Sequence, residues 1–219
     1  MSRSLRATAI LTAIVAGLSL AACGTEQHTA STPTTTATPA AAATTQIRIF
    51  AAVSPSGSST VTITSRAKGS CWEGSILTPR REAWRCTVGN EIEDPCFSGE
   101  HEAVVCPTEG PWSGKGIEIR LTEPLPRNHE NTGRWPSGEP TQPWALELTD
   151  GSHCGLAGGA TSVVDGMRQN YQCTSRDLQP PGGLLLYGNP DRSSPVWTIY
   201  GGALNASQLT QRTIGIAWF

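Results

Sequence analysis

The sequence predicts a mainly β protein: a single disulfide-stabilised antiparallel domain, sandwich-like or barrel-like, over residues 46–219. Three observations carry that expectation. Apolar and polar residues alternate with period two in one segment after another, turn residues punctuate the segments, and six cysteines stand at 71, 86, 96, 106, 154 and 173. Lys, Ala and Leu at helical spacing are scarce, whereas Gly, Pro, Thr and Ser are abundant. The 174 residues from Gln46 to Phe219 suffice for one compact core or two small lobes.

The chain opens differently. Arg3 and Arg6 form a basic start, Ala7 to Leu20 is a 14-residue apolar run, and Leu20-Ala21-Ala22-Cys23 follows. The run is too short to span a bilayer and reads as an export signal over residues 1–22. These residues resemble the bacterial lipobox, in which a branched aliphatic and two small residues precede the cysteine that receives a diacylglyceryl thioether. The resemblance implies lipid attachment at Cys23, cleavage before it, and a place on the extracytoplasmic side of a cell membrane. Residues 23–45, dominated by Thr, Ala, Ser and Pro, have almost no charge and nothing large to bury, so they read as a disordered tether. Such a coil holds its cargo roughly 25 Å from the surface on average and about 70 Å at full extension. Its hydroxyls also offer acceptors for O-linked sugars, a plain spacer being the simpler reading.

Strands are expected in order. Ile47, Ile49 and Ala51 alternate with polar neighbours, as do Val61 and Ile63, then Ile117, Ile119 and Leu121, then the Trp144–Glu147 segment. Leu184 to Tyr187, Val196 to Tyr200 and Arg212 to Phe219 follow, with Ile214, Ile216 and Trp218 expected on one face. Asp150-Gly151, Asp165-Gly166, Pro181-Gly182-Gly183, Gly188 to Asp191 and Gly201-Gly202 mark the turns between them. A helical turn is expected only in Asn205 to Arg212. Glu123 to Pro143, with five prolines, reads as one long loop, a length that inside a compact domain suggests binding or disorder.

Outside the reducing cytosol, six cysteines imply a disulfide framework, and no spacing forms CxxC. Fifteen pairings are possible; sequence neighbours on adjacent strands favour Cys71 with Cys86, Cys96 with Cys106, and Cys154 with Cys173. The segment Ser70 to Phe97, SCWEGSILTPRREAWRCTVGNEIEDPCF, followed by Val104-Val105-Cys106-Pro107, is similar to a module of secreted bacterial proteins of unassigned function. That resemblance implies an exported, actinobacterial-type protein and no particular activity.

Chemistry is sparsely signalled. Gly110-Pro111-Trp112-Ser113-Gly114 has its serine one position off GxSxG. His101, His129 and His153 lack metal-protease spacing, so no metal and no cofactor is implied. His101 lies between two glutamates as a turn residue would, and His153 precedes Cys154 and reads as packing near a bridge. His129, beside Glu130 and near Arg127 and Arg134, has polar company suited to catalysis. A glycosidase pair cannot be singled out from Glu91, Glu93, Asp94, Glu109, Glu130 and Asp165. No catalytic residue is therefore assigned.

Seven tryptophans accompany three phenylalanines and three tyrosines. Trp72 and Trp84 flank cysteines and read as packing on bridges; Trp144, Trp197 and Trp218 read as core. Trp112 and Trp135 fall in Gly/Pro-rich loops, where an indole can stack on a sugar ring, a peptide or a small molecule, or plug the loop onto a sheet. Arg134, Trp135, Trp112 and His129 thus form the candidate binding loop. Without the signal the formal charge is −4, which disfavours nucleic acid. The expected function is non-enzymatic binding or an envelope role for a membrane-anchored lipoprotein, with an envelope polymer, a small molecule or a protein as ligand. An extracytoplasmic hydrolase using His129, and a structural or inhibitory partner of another exported protein, are the alternatives.

Overall fold

The structure, a computed structural model, describes residues 44–99, 103–126, 142–159, 161–174 and 183–219. In chain order these form β1 (Gln46–Arg48), β2 (Thr62–Gly74), β3 (Ala83–Val88), β4 (Glu91–Ser98), β5 (Ala103–Pro107) and β6 (Lys115–Leu121). Then come β7 (Ala145–Leu148), β8 (His153–Leu156), β9 (Val163–Val164), β10 (Met167–Thr174), β11 (Leu184–Asp191), β12 (Thr198–Ala203) and β13 (Thr210–Trp218). Strands β2 to β6 close a first barrel, β2 meeting β6 in parallel and the other neighbours antiparallel. Strands β7, β8, β10, β11, β12 and β13 form a second ring, closed because β13 also pairs with β7, with β1 and β9 attached at its sides. The expectation of a mainly β, barrel-like, disulfide-bonded fold describes this architecture.

Barrel closure in the first half depends on one long strand. Residues 62–69 of β2 pair with β6, and residues 70–74 pair with β3. The changeover falls at Gly69, where a Cβ would lie 2.1 Å from the Thr87 carbonyl oxygen and 2.9 Å from Ile119 Cγ2. Only a residue without a side chain allows that approach. Inside, the bridges Cys71–Cys86 and Cys96–Cys106 pack with Trp84, Val104 and Ile119, and the Trp84 indole donates to Ser98 Oγ at 3.0 Å. A five-stranded barrel this small has a marginal apolar core, and each bridge adds on the order of 2 to 4 kcal/mol.

The second barrel is filled by Leu146, Leu148, Tyr171, Leu186, Ile199 and Ile214 with the bridge Cys154–Cys173. Fully buried Tyr171 donates its hydroxyl to the Pro143 carbonyl at 2.8 Å, and burial pushes the phenol far above its ordinary range. Between the barrels lies a third apolar cluster of Phe50, Ala52, Ala83, Phe97, Val105, Trp144 and Ala145. The Phe50 ring stands 5.4 Å from Phe97 and 5.7 Å from Trp144. Arg80 lies over Phe97 at 4.8 Å and donates to the carbonyls of Phe50 and Phe219. This seam makes residues 44–219 one compact body rather than two independent lobes.

Several local expectations are corrected. Ile47 and Ile49 are exposed, because Phe50 and Ala52, one position out of phase, take the buried side. Trp72 is 43 % exposed beneath Arg85 rather than packed on a bridge. Residues 205–209 form turns, with β13 starting at Thr210 and no helix. A register shift between Ile214 and Ile216 breaks the alternation of β13, so Ala217 joins Ile214 in the barrel while Trp218 joins the seam. Thr45, placed in the tether by the sequence, is tied to the second barrel: its amide donates to the Pro195 carbonyl and its hydroxyl to the Ile214 carbonyl. The export signal, Cys23 and most of the tether lie outside the described residues, as does the body of the long loop.

Candidate functional site

The β7–β8–β10 ladder sets one wall of a cleft. On β8 and β10, His153 is opposite Thr174, Cys154 opposite Cys173, and Gly155 opposite Gln172. Alternation sends the disulfide into the barrel and leaves His153, Gly155, Gln172 and Thr174 on the outer face. Trp144 and Ala145 at the start of β7, with Gly151 in the β7–β8 turn, complete that wall. The first barrel supplies the facing wall from its β5–β6 connection, Glu109, Gly110, Trp112 and Ser113. The cleft between these walls is open to solvent and has a volume of about 550 Å³.

The β5–β6 connection is shaped by two positive-φ residues, Glu109 (φ 60°) and Gly110 (φ 89°), before a single 3-10 turn over Pro111–Ser113. A Cβ on Gly110 would sit 2.3 Å from the Trp112 ring, so glycine lets the indole fold back over the turn. Ser113 Oγ sits 2.5 Å from the Thr108 carbonyl oxygen and 3.0 Å from that of Gly110, and accepts from the Lys115 amide at 3.1 Å. The serine is a turn clamp. That ordering aims Trp112 across the junction, where it stacks on His153 with centroids 4.4 Å apart and planes 20° apart.

His153 is itself held from behind. Its β7 register partner is Glu147, and His153 Nε2 lies 3.5 Å from Glu147 Oε2. The other Glu147 oxygen accepts from the Trp218 indole at 2.9 Å, which fixes the carboxylate. Trp144, 4 % exposed, lines the same cleft, and its Nε1 has no acceptor among the described residues. A buried donor left unpaired costs about 1 to 3 kcal/mol.

A second, shallower hollow of about 480 Å³ lies on the first barrel between Arg66, Ala67, Lys68, Ala103, Glu118 and Arg120. Arg66 pairs there with Glu118 at 3.0 Å, and with the arginine exposed and the glutamate half-buried the pair contributes little. Among the described residues no group of three or more His, Cys, Asp or Glu is arranged to hold a metal ion.

Of the sequence-nominated binding residues, Trp112 lies in the cleft. His129, Arg134 and Trp135 lie outside the described residues, as does His101. The three bridges join Cys71 to Cys86, Cys96 to Cys106 and Cys154 to Cys173 across neighbouring strands, the pairing that sequence neighbours favour. His153, Trp144, Gly155, Gln172 and Thr174 were not nominated. A signal for two of them existed: if Cys154 points inward to bond, its neighbours His153 and Gly155 must face outward. No protein-family model, no curated protein and no solved structure matches the chain.

Proposed function

We propose that this protein is a lipid-anchored extracytoplasmic binding protein that captures its ligand in the cleft between the two barrels. The observation that carries the reading is the cleft itself, where Trp112 from one barrel stacks on His153 from the other beside a buried indole donor without an acceptor. Ligand sites favour such junctions between lobes, with mostly apolar walls and a few placed polar groups. Anchoring rests on the lipobox-like residues ending at Cys23, with the Thr/Ala/Pro-rich stretch after it carrying the domain clear of the headgroups. The partners are the membrane, through the lipid, and an envelope-accessible ligand.

Two measurements test this. Intact mass of membrane-extracted protein must match a chain starting at acylated Cys23, with six thiols appearing only after reduction. Ligand binding to the same preparation must be weakened at least about tenfold by Trp112→Ala. An unlipidated mass removes the anchor, and unaltered affinity removes the cleft.

One observation favours hydrolysis of an envelope ester or polymer as a second reading: the Glu147–His153 pair resembles the oriented carboxylate–imidazole part of a catalytic site. Against it, the Ser113 hydroxyl in the same cleft is committed to the Thr108 and Gly110 carbonyls. Ester turnover abolished by His153→Gln would establish the hydrolase.

A further inference from the structure

Resting on the binding reading above, we propose that the cleft takes a neutral saccharide, one pyranose ring lying over Gly155 with the His153–Trp112 stack on one side and Gln172 and Thr174 on the other. The outer face of the β8–β10 ladder offers four positions in two rungs, His153 opposite Thr174 and Gly155 opposite Gln172. Three carry side chains. At the fourth, a Cβ on Gly155 would meet nothing within 4 Å, so bare backbone floors an open trough. The bridge Cys154–Cys173 lies directly beneath these rungs and holds the spacing between the two strands.

The chemistry of the trough selects the ligand. Gln172 and Thr174 are exposed, and an amide and a hydroxyl each both donate and accept, which matches the dual character of sugar hydroxyls. The aromatic stack offers a flat apolar surface for the C–H face of a pyranose. The Trp144 indole, sealed in the wall without an acceptor, adds a donor that a ligand oxygen satisfies after a small local shift. Charge argues against ionic ligands. Among the described residues no Lys or Arg lines the cleft to hold an anion, and Glu147 already faces His153, which leaves Glu109 as the described carboxylate to attract a cation. A volume of about 550 Å³ falls in the range of small-ligand sites, about 300 to 1,000 Å³.

Gly155→Val supplies the test. The added side chain enters open space on a strand, at a backbone conformation ordinary for L residues, so the barrel stays intact while the trough fills. Full-length protein in detergent is titrated with neutral oligosaccharides of glucose, galactose, mannose and N-acetylglucosamine, and with tri-alanine as a peptide probe. Tryptophan fluorescence and the His153 ring NMR signals are the readouts. At least one sugar is expected to saturate at millimolar concentration or below, with affinity falling about tenfold or more in Gly155→Val. Gln172→Ala, an exposed change with little effect on folding, should weaken the same sugar, which keeps the test open if the valine variant fails to fold. Silence toward every sugar overturns the saccharide assignment. If tri-alanine then binds and Gly155→Val abolishes it, the cleft remains a binding site for a different class. A sugar that binds both proteins equally overturns the placement, and silence toward every probe overturns the binding reading as well.

Discussion

Replacing Cys154 and Cys173 together by alanine tests how far the second barrel and its cleft depend on one covalent link. The bridge closes a separation of 19 residues. By loop-closure entropy its removal releases the unfolded chain by about 3 kcal/mol at 25 °C. Both sulfurs are buried, at 0 % and 4 % exposure, so their deletion adds a small cavity cost of about 1 kcal/mol. The expected total of about 4 kcal/mol is a large share of the 5 to 15 kcal/mol typical of a domain, so the variant folds with a reduced margin. With a urea dependence of about 2 kcal/mol/M, the midpoint should fall by about 2 M. The assay is equilibrium urea unfolding without reductant, followed by far-UV circular dichroism and by tryptophan fluorescence. If the barrels melt separately, the shift belongs to the transition that exposes Tyr171. A midpoint change below about 0.5 M would refute the argument that the bridge acts by restricting the unfolded chain.

Other outcomes follow from single positions. Gly69→Ala forces a methyl against the Thr87 carbonyl where β2 changes partner; a destabilisation of about 1 to 3 kcal/mol is expected in thermal or urea melts, and no loss would mean that the strands separate cheaply. Phe97→Ala empties the seam beside Phe50, Trp144 and Arg80, with an expected cost of about 3 to 5 kcal/mol and earlier unfolding of both barrels. Asp94 gives a pH signature. Burial raises its carboxyl above the ordinary 3.8, while hydrogen bonds from Ser75 and the Ile76 amide and the Arg85 charge pull it back and Glu73 adds to the rise. A raised native pKa means that the carboxyl favours the folded state below its ordinary pKa and loses that contribution as pH rises through the native value. Wild type should therefore lose ground against Asp94→Asn as pH rises from below the ordinary 3.8 through the higher native value, read as the difference in urea midpoint; a difference that stays constant with pH would sink the assignment.

Much of the architecture was legible because its signals are local. Ile117, Ile119 and Leu121 alternate in sequence and all reach the first barrel's core. Alternation failed where register slipped: in β13 the shift between Ile214 and Ile216 moved Trp218 to the seam, and near β1 the buried phase belongs to Phe50 and Ala52. For the site, Trp112 stood out as an aromatic in a Gly/Pro-rich turn. Its stacking partner did not, because His153 and Trp112 are 41 positions apart and meet through the packing of two barrels.

The sequence by itself determined that the chain folds into short strands with tight turns, and it favoured, among fifteen pairings, bridges between neighbouring cysteines. Both follow from interactions within a few residues or one hairpin, where side-chain period and loop length leave few choices. Only the tertiary structure decided that the strands close into two rings, that Phe50, Phe97 and Trp144 join those rings along one seam, and that the β5–β6 turn of one ring faces the β8–β10 ladder of the other. Those choices depend on which apolar faces remain uncovered once each barrel has closed, a property of the assembled surface and not of any one segment.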